Sequence, residues 1–495
     1  MMKLEKNLTL NHRGNVSLIW YLVICFIILP ILSSCGGDSN NVSGTEEDLK
    51  IWHHPEDTSS GLSLIDSEAF FPKVATDNTG DAIIVWSQEN ISGEDSIYLS
   101  EYRNGVWWFP QSLDDHINIT NGGGSHPQVA MDNNGNAVVV WNTNMGPTYM
   151  SEFRNGSWTH PAFLSESINP IGSLEEEKTF QPKVFMNGAG AGLIIWKQRD
   201  GGGGVKLYLS EYRNNQWHHP ASIDDYISPT PQTGTHLFAQ DVYDYWADID
   251  EDGDAIIAWT QMAGDKIKLF KSEFRDGVWT HPVDVDDFIS ISDSSVRNAQ
   301  VAMSDNGEAV IAWEQPDSSN GLGKIFVAEY RNANWSLPSS LADNVGNPDE
   351  HYELPLVAMD GNGNTRLLYT SPWTNAFYMS EYVEGYWTHN ESPATEINPL
   401  PSLGLNVNIA MNSKGNTIVA WRSMVPTDDR SGPDIFLSEY NNNSWEIPSS
   451  IEDYINPDHN VSSTPEIAMN ENGEAIIVWQ QYTENGYQIF ASHKR

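Results

Sequence analysis

The chain has 495 residues, 26 of them basic and 67 acidic, for a formal net charge of −41 at pH 7, and it holds two cysteines. So large a carboxylate excess excludes a nucleic-acid partner, whose phosphates need Lys and Arg, and argues against docking on anionic headgroups. It suits a soluble exported domain with solvated acidic loops, a saline setting, a basic partner or bound calcium.

The N-terminus reads as a targeting segment. Lys3, Lys6 and Arg13 precede an apolar run from Val16 to Leu32, which ends in Leu32-Ser33-Ser34-Cys35. A plain transmembrane anchor ending at Leu32 is the alternative reading. The small residues before Cys35 at the end of an apolar run resemble the lipobox of bacterial lipoproteins. That resemblance implies a signal peptide over 1–34, cleavage before Cys35 and a lipid on Cys35. Gly36, rather than Asp, after the cysteine implies passage to the outer membrane, with the periplasmic or surface orientation open. Cys25 lies in the removed segment, so the mature chain has no free thiol and no disulfide despite export. Residues 35–48 are small, polar and acidic, as a flexible tether is.

From residue 49 the sequence repeats. Trp107, Trp158, Trp217, Trp279, Trp335 and Trp445 each open a W-x-x-P; Trp387 keeps the setting with Asn390 in place of Pro. The eighth copy, Trp52 to Pro55, stands at the start with no repeat before it, and the chain stops at Arg495 where the next copy is due. Each unit opens with a strand such as Pro127–Met131 and turns at Asp132-Asn-Asn-Gly135. It continues through a buried run, Ala137–Trp141, and through Tyr149–Arg154, then closes on Ser157–Pro161. Short Val/Ile runs bounded by Asn-Gly or Asp-Gly signal strands and hairpins. A second Trp series ends the second strand: Trp86, Trp141, Trp196, Trp259, Trp313, Trp421 and Trp479, with Tyr369 in the sixth unit. Four strands in each of eight units predict an all-β, eight-bladed β-propeller over 49–495, closed by its own N-terminal strand as the outer strand of the last blade. Closure as a monomeric ring removes exposed sheet edges. The second-strand Trp residues read as core; the W-x-x-P series reads as packing or as a ring of sugar-stacking platforms.

The turns after the first and third strands are short and formulaic. The variable segments are the second-to-third loops (Ser87 to Asp95, Lys197 to Val205, Arg422 to Pro433) and the links between blades (Asn118 to His126, Asn169 to Gln181, Ser228 to Asp244). Alternating strands put both variable classes on one face, around the mouth of the central channel, where binding residues on a rigid scaffold belong. The candidate ligand-binding residues there are His126, Gln181, His236, Tyr243, Asp244, His351, Tyr352 and Glu353. The turn Asp248-Ile-Asp250-Glu-Asp252-Gly-Asp254 carries carboxylates at alternate positions and a Gly at the sixth, as calcium loops do, but Trp259 stands where the closing Glu belongs. Calcium is the one cofactor it suggests, and a plain Asp-rich turn is the alternative.

The third strand repeats a carboxylate, Glu101, Glu152, Glu211, Glu273, Glu329, Glu381 and Glu439, beside a repeated Arg. Either it forms a ligand site or it pairs within the scaffold. Leu99-Ser-Glu-Tyr-Arg-Asn-Gly-Val-Trp107 resembles the Glu…Trp stretch of fucose-binding propeller lectins, with a longer repeat and the Arg placed differently. The resemblance implies sugars held by Glu, Arg and Trp between blades. The Asp-x-Asn-Gly turns resemble in part the Asp-box of sialidase-like propellers, but no three Arg are placed to grip a carboxylate. The plan of an eight-bladed lipoprotein is similar to the scaffold subunit of the outer-membrane assembly machinery. No nucleophile motif, H-E-x-x-H, phosphate loop or dinucleotide fingerprint occurs. These readings lead to a non-enzymatic binding or scaffold module of the bacterial cell envelope that takes a glycan or a protein on its loop-rich face. The alternative is a polysaccharide-active enzyme, lyase or glycoside hydrolase, with a few His, Tyr and acidic groups at the channel mouth.

Overall fold

The structure, a computed structural model, describes residues 50–495 apart from 120–121, 144–145, 171–177, 201–203, 231–240, 292–293, 390–391, 396, 400–402, 425–431 and 461–462. The signal segment, Cys35, the tether and the candidate His236 lie outside the described residues. Each unit is built from hairpins whose first turn is set by one side chain. Asp132 Oδ1 accepts the amide N–H groups of Asn134 and Asn136 at 2.9 Å, and Gly135 takes φ 76° to finish the turn. Asn187 and Asn412 accept the amide N–H groups four residues on in their own blades, so the turn needs an oxygen acceptor rather than a negative charge.

Eight four-stranded antiparallel sheets result. Their inner strands are Ala69–Thr76, Ser125–Met131, Thr179–Met186, Val242–Ile249, Arg297–Met303, Glu353–Met359, Leu403–Met411 and Glu466–Met469, for blades 1 to 8. Each inner strand packs beside the next, and that of blade 8 packs beside that of blade 1, which closes the circle. In blade 8 the outer strand is Trp52–His53, paired with the C-terminal strand as Trp52 to Lys494 and His53 to His493. The expected closure by the N-terminal strand is therefore what the chain does.

Both Trp series are structural. The second-strand Trp residues are 0–1% exposed, each between neighbouring blades. In blades 1, 3, 4, 5 and 8 the indole Nε1 donates to the Gln two residues on, as Trp259 does to Gln261 at 3.0 Å. The W-x-x-P Trp residues latch one blade to the one before it. Trp158 donates to Glu101 at 2.8 Å, Trp217 to Glu152 at 3.0 Å, Trp335 to Glu273 at 2.9 Å and Trp387 to Glu329 at 2.9 Å. The repeated Arg lies on an aromatic ring of the following blade: Arg103 on Phe153, Arg213 on Phe274 and Arg331 on Tyr382, at 3.6–4.3 Å. Where blade 6 has Val383 instead of that Arg, Arg366 from the second strand takes over. It binds Glu381 at 3.0 Å and lies over Tyr440 at 3.8 Å. The repeated carboxylate is thus the acceptor that joins blades.

Candidate functional site

The loop face departs from eightfold regularity at blade 2. Its second strand stops at Asn142 and its third starts at Thr148, whereas blade 3 runs on to Arg199 and restarts at Val205. The step bares the flank of blade 3 and opens a cleft of about 660 Å³ over blades 2, 3 and 4. His126, Gln181, Lys197, Arg199, Asp241 and Tyr243 line it. Thr143 stands where five other blades provide a Gln, so among the described residues the buried indole Nε1 of Trp141 has no hydrogen-bond partner. The expected loop from Lys197 to Val205 is shorter than the sequence suggests. Lys197 and Arg199 pair with Leu207 and Val205 and belong to strands.

A backbone device aims side chains at the channel. Each inner strand from blade 1 to blade 7 has a register shift at its start. There Phe71, His126, Gln181, Asn298 and Leu354 take positive φ values of 50–56°. For a non-glycine residue that conformation costs on the order of 1–2 kcal/mol. A β-bulge re-aims one side chain. Phe71, His126, Gln181 and Leu354 are exposed as a result, and the Phe71 and His126 rings stack at 4.1 Å. A second hollow of about 460 Å³ at the channel mouth is lined by these same two rings together with Gln181, Lys73, Lys183 and Asp244, so cleft and mouth are continuous through His126 and Gln181.

The electrostatics here run against the rest of the chain. Lys73 and Lys197 both lie within electrostatic reach of Lys183. Burial pushes the Lys183 ammonium down to about 8, Asp244 at 3.8 Å opposes this, and Lys73 and Lys197 add to it. Lys183 donates to the Tyr245 carbonyl at 2.7 Å and lies over the Trp246 ring at 4.3 Å. Lys197 donates to the Tyr243 carbonyl at 2.7 Å, and burial lowers its pKa as well. Burial holds the His126 imidazole below its ordinary value; Asp95 opposes the shift and Lys73 adds to it. Burial and then Asp241 raise the Tyr243 phenol.

Of the residues expected at the site, His126, Gln181, Tyr243 and Asp244 come together here. His351 and Glu353 lie further round the mouth at blade 6. Tyr352 is fully buried, its ring 4.9 Å from Tyr369 and 5.0 Å from Tyr378, so it packs blade 5 to blade 6 and faces no ligand space. The four aspartates of the Asp-rich turn have separate duties. Asp248 accepts from Met303 N of the next blade at 2.8 Å, Asp250 accepts from Asp254 N at 2.8 Å, and Asp254 meets Arg275 at 3.3 Å, while Asp252 is exposed. Among the described residues no group of three or more His, Cys, Asp or Glu side chains is arranged to hold a metal ion. Sequence reasoning missed Lys73, Lys183, Lys197 and Arg199. The available signal was the pair of Pro-Lys-Val segments, 72–74 and 182–184, and the basic 197–199 segment in a chain of strongly negative charge.

No family profile matches the chain, and no curated protein matches it. Several solved structures are similar to it at low identity. A fucose-bound Aleuria aurantia lectin is 12% identical over 68% of this chain and 99% of its own, with a TM-score of 0.34. An ulvan-type polysaccharide lyase is 11% identical over 76% and 95%, with a TM-score of 0.44. A Hadza microbial sialidase is 12% identical over 89% and 94%, with a TM-score of 0.40. Likeness at this distance assigns nothing to this chain.

Proposed function

We propose that this chain binds an acidic polysaccharide in the cleft over blades 2 to 4, displayed at the bacterial cell envelope by a lipid on Cys35. The supporting observation is the gathering of Lys73, Lys183 and Lys197, with Arg199 beside them, on a chain of net charge −41. Bringing like charges together at a partly buried site is unfavourable unless an anion completes it. Asp241, Asp244 and Glu466 neutralise part of that charge. Exposed ring faces at Phe71 and Tyr243 and the amide of Gln181 suit the flat faces and hydroxyls of sugars.

The test is binding of soluble residues 48–495 to a panel of uronate-containing, sulfated and neutral polysaccharides, with calcium and with EDTA. Saturable binding of the acidic members alone, weakened by salt and by Lys197→Ala, is the expected result. Equal binding of neutral glycans, or silence throughout, refutes the reading. Loss of binding in EDTA would point to calcium at the Asp248–Asp254 turn.

A second reading is favoured by the presence of His126 and Tyr243 in that same cleft. An imidazole kept neutral can accept the proton at C5 of a uronate, and a phenol that keeps its proton can give it to the departing glycosidic oxygen. The C4–O bond then breaks and a C4–C5 double bond remains, while a cation pairs the carboxylate on which charge develops. The cleft suits a lyase, because its lining supplies an imidazole and a phenol for the two proton transfers of an elimination. Unsaturated product in the panel wells, lost in His126→Ala and in Tyr243→Phe, is the result that selects it.

A further inference from the structure

We propose that the channel mouth carries a second saccharide-binding patch over blades 5 and 6, built on Trp373, Arg297 and Asn298, which takes the continuation of the polymer held in the first cleft. The inference rests on the acidic-polysaccharide reading and adds a direction and a minimum length to it. Trp373 lies in the second-to-third loop of blade 6 and is 57% exposed, although most indoles of this chain are buried or half-buried. An indole face left in water beside ordered polar groups is a surface on which a sugar ring stacks.

The polar groups are fixed in place. Glu314 is buried and accepts Arg297 Nε at 2.8 Å and Nη2 at 2.5 Å on one oxygen, and Asn298 Nδ2 at 3.0 Å on the other. Arg297 nonetheless keeps 56% of its side chain exposed, so a guanidinium held rigidly on one side is offered on the other. His351 continues the patch, its ring centroid 5.8 Å from that of Trp373 and its Nε2 3.9 Å from Glu353. That nitrogen is buried and has no hydrogen-bond partner among the described residues. Gly323 makes room for the assembly. A Cβ there would come within 2.5 Å of the Tyr352 carbonyl, 2.9 Å of Glu314 Oε1 and 3.0 Å of His351 Nε2.

The arc is continuous around the mouth. Asn298 occupies in blade 5 the bulge position that His126 and Gln181 occupy in blades 2 and 3 and Leu354 in blade 6. Tyr243 is the bulge residue of blade 4, between the two sites. A chain lying in the first cleft and leaving over Tyr243 therefore meets Arg297 and Trp373 next. Its second contact is made at high effective concentration and strengthens binding only when the ligand is long enough to reach.

The probe is a glucuronan ladder, from disaccharide through dodecasaccharide to intact polymer, titrated into soluble residues 48–495 and into Trp373→Ala and Lys197→Ala. Trp373 is exposed, so its replacement should leave folding intact, and an unchanged circular dichroism spectrum is the check. Wild-type affinity should rise with length. Trp373→Ala should leave the disaccharide unchanged and weaken the dodecasaccharide about five- to tenfold, the range expected of one aromatic stacking contact of about 1 kcal/mol. Lys197→Ala should weaken every length. Equal weakening at all lengths, or none at any, in Trp373→Ala overturns the second patch while the first cleft stands. Absence of wild-type binding at every length overturns both.

Discussion

The seam between the two chain ends is the place where the ring depends on noncovalent contact alone, and Trp52→Ala tests it. Only Trp52 and His53 pair with the C-terminal strand, flanked by the reciprocal bonds Ile51 N to Arg495 O at 3.0 Å and Arg495 N to Ile51 O at 3.2 Å. Trp52 is half-buried and donates to Glu439, which Lys494 also contacts. Emptying a fully buried Trp costs about 3–5 kcal/mol. Half-burial brings this to about 2 kcal/mol, and losing a hydrogen bond to a carboxylate that keeps a second partner adds about 1 kcal/mol. A ring of about 450 residues has an unfolding entropy near 0.9 kcal/mol per kelvin, so Tm should fall by about 2–4 °C. Trp279→Ala removes the equivalent latch inside a covalently continuous stretch and should lower Tm by a similar amount. The difference lies in local opening. Freeing residues 50–55 exposes the edge of Gly486–Lys494, so Trp52→Ala alone should show faster proteolysis near its termini and rising light scattering below its Tm. Deleting residues 49–56 should exaggerate both. A Trp52→Ala protein that melts like the wild type, or is cleaved no faster than Trp279→Ala, would refute the seam as the weak point.

Two further outcomes follow from the packing. His493 stacks on His53 at 5.1 Å, and burial, then Arg495 and the neighbouring His53 and His54, hold it down to about 4. Its folded pKa lies below the unfolded value near 6.5, so the seam is at full strength above that value and weakens as pH falls toward 4. Melting scans from pH 7.5 to 4.5 should show a steeper fall for the wild type than for His493→Gln; parallel curves would count against a neutral His493. Trp141→Phe should be nearly neutral, because its indole nitrogen has no partner to lose, whereas Trp259→Phe strands the buried carbonyl of Gln261 and should cost about 1–3 kcal/mol more by chemical denaturation. Equal losses would disprove that account of the two indoles.

The scaffold was legible because each blade repeats the same physical solution. Two Trp series, one fixed turn and an N-terminal copy without a predecessor leave a closed ring as the arrangement that pairs every strand. The direction of the strands put both variable loop classes on one face, and the structure brings His126, Gln181, Tyr243 and Asp244 together there. Tyr352 was misplaced because its neighbours His351 and Glu353 do reach the mouth, while packing against Tyr369 and Tyr378 turns its ring inward. The Asp248–Asp254 turn starts its hairpin with Asp250 where blades 3, 7 and 8 use Asn, and Asp248, Asp250 and Asp254 each serve a scaffold contact that the alternating pattern does not reveal.

What the sequence concealed is explained by the repeat itself. A position filled alike in nearly every blade answers to packing: Glu101 and its equivalents are used by the next blade's indole. A site must break the symmetry, since eight identical blades around an axis present no single cleft. Each element of the proposed sites is such a break. Blade 2 is shortened at Asn142, beside the cleft, and carries Thr143 where other blades place the Gln that accepts the indole. The residue after the second-strand Trp is Lys197 in blade 3 and Glu314 in blade 5, so the same register position presents a cation on one arc of the mouth and a carboxylate that locks Arg297 on the next. Blade 6 gives up its Trp for Tyr369 and places an indole, Trp373, in the loop that follows. In a repeat protein the informative residues are therefore those that differ from their equivalents at the loop end of the inner strands, and alignment of the eight units against one another is the comparison that finds them.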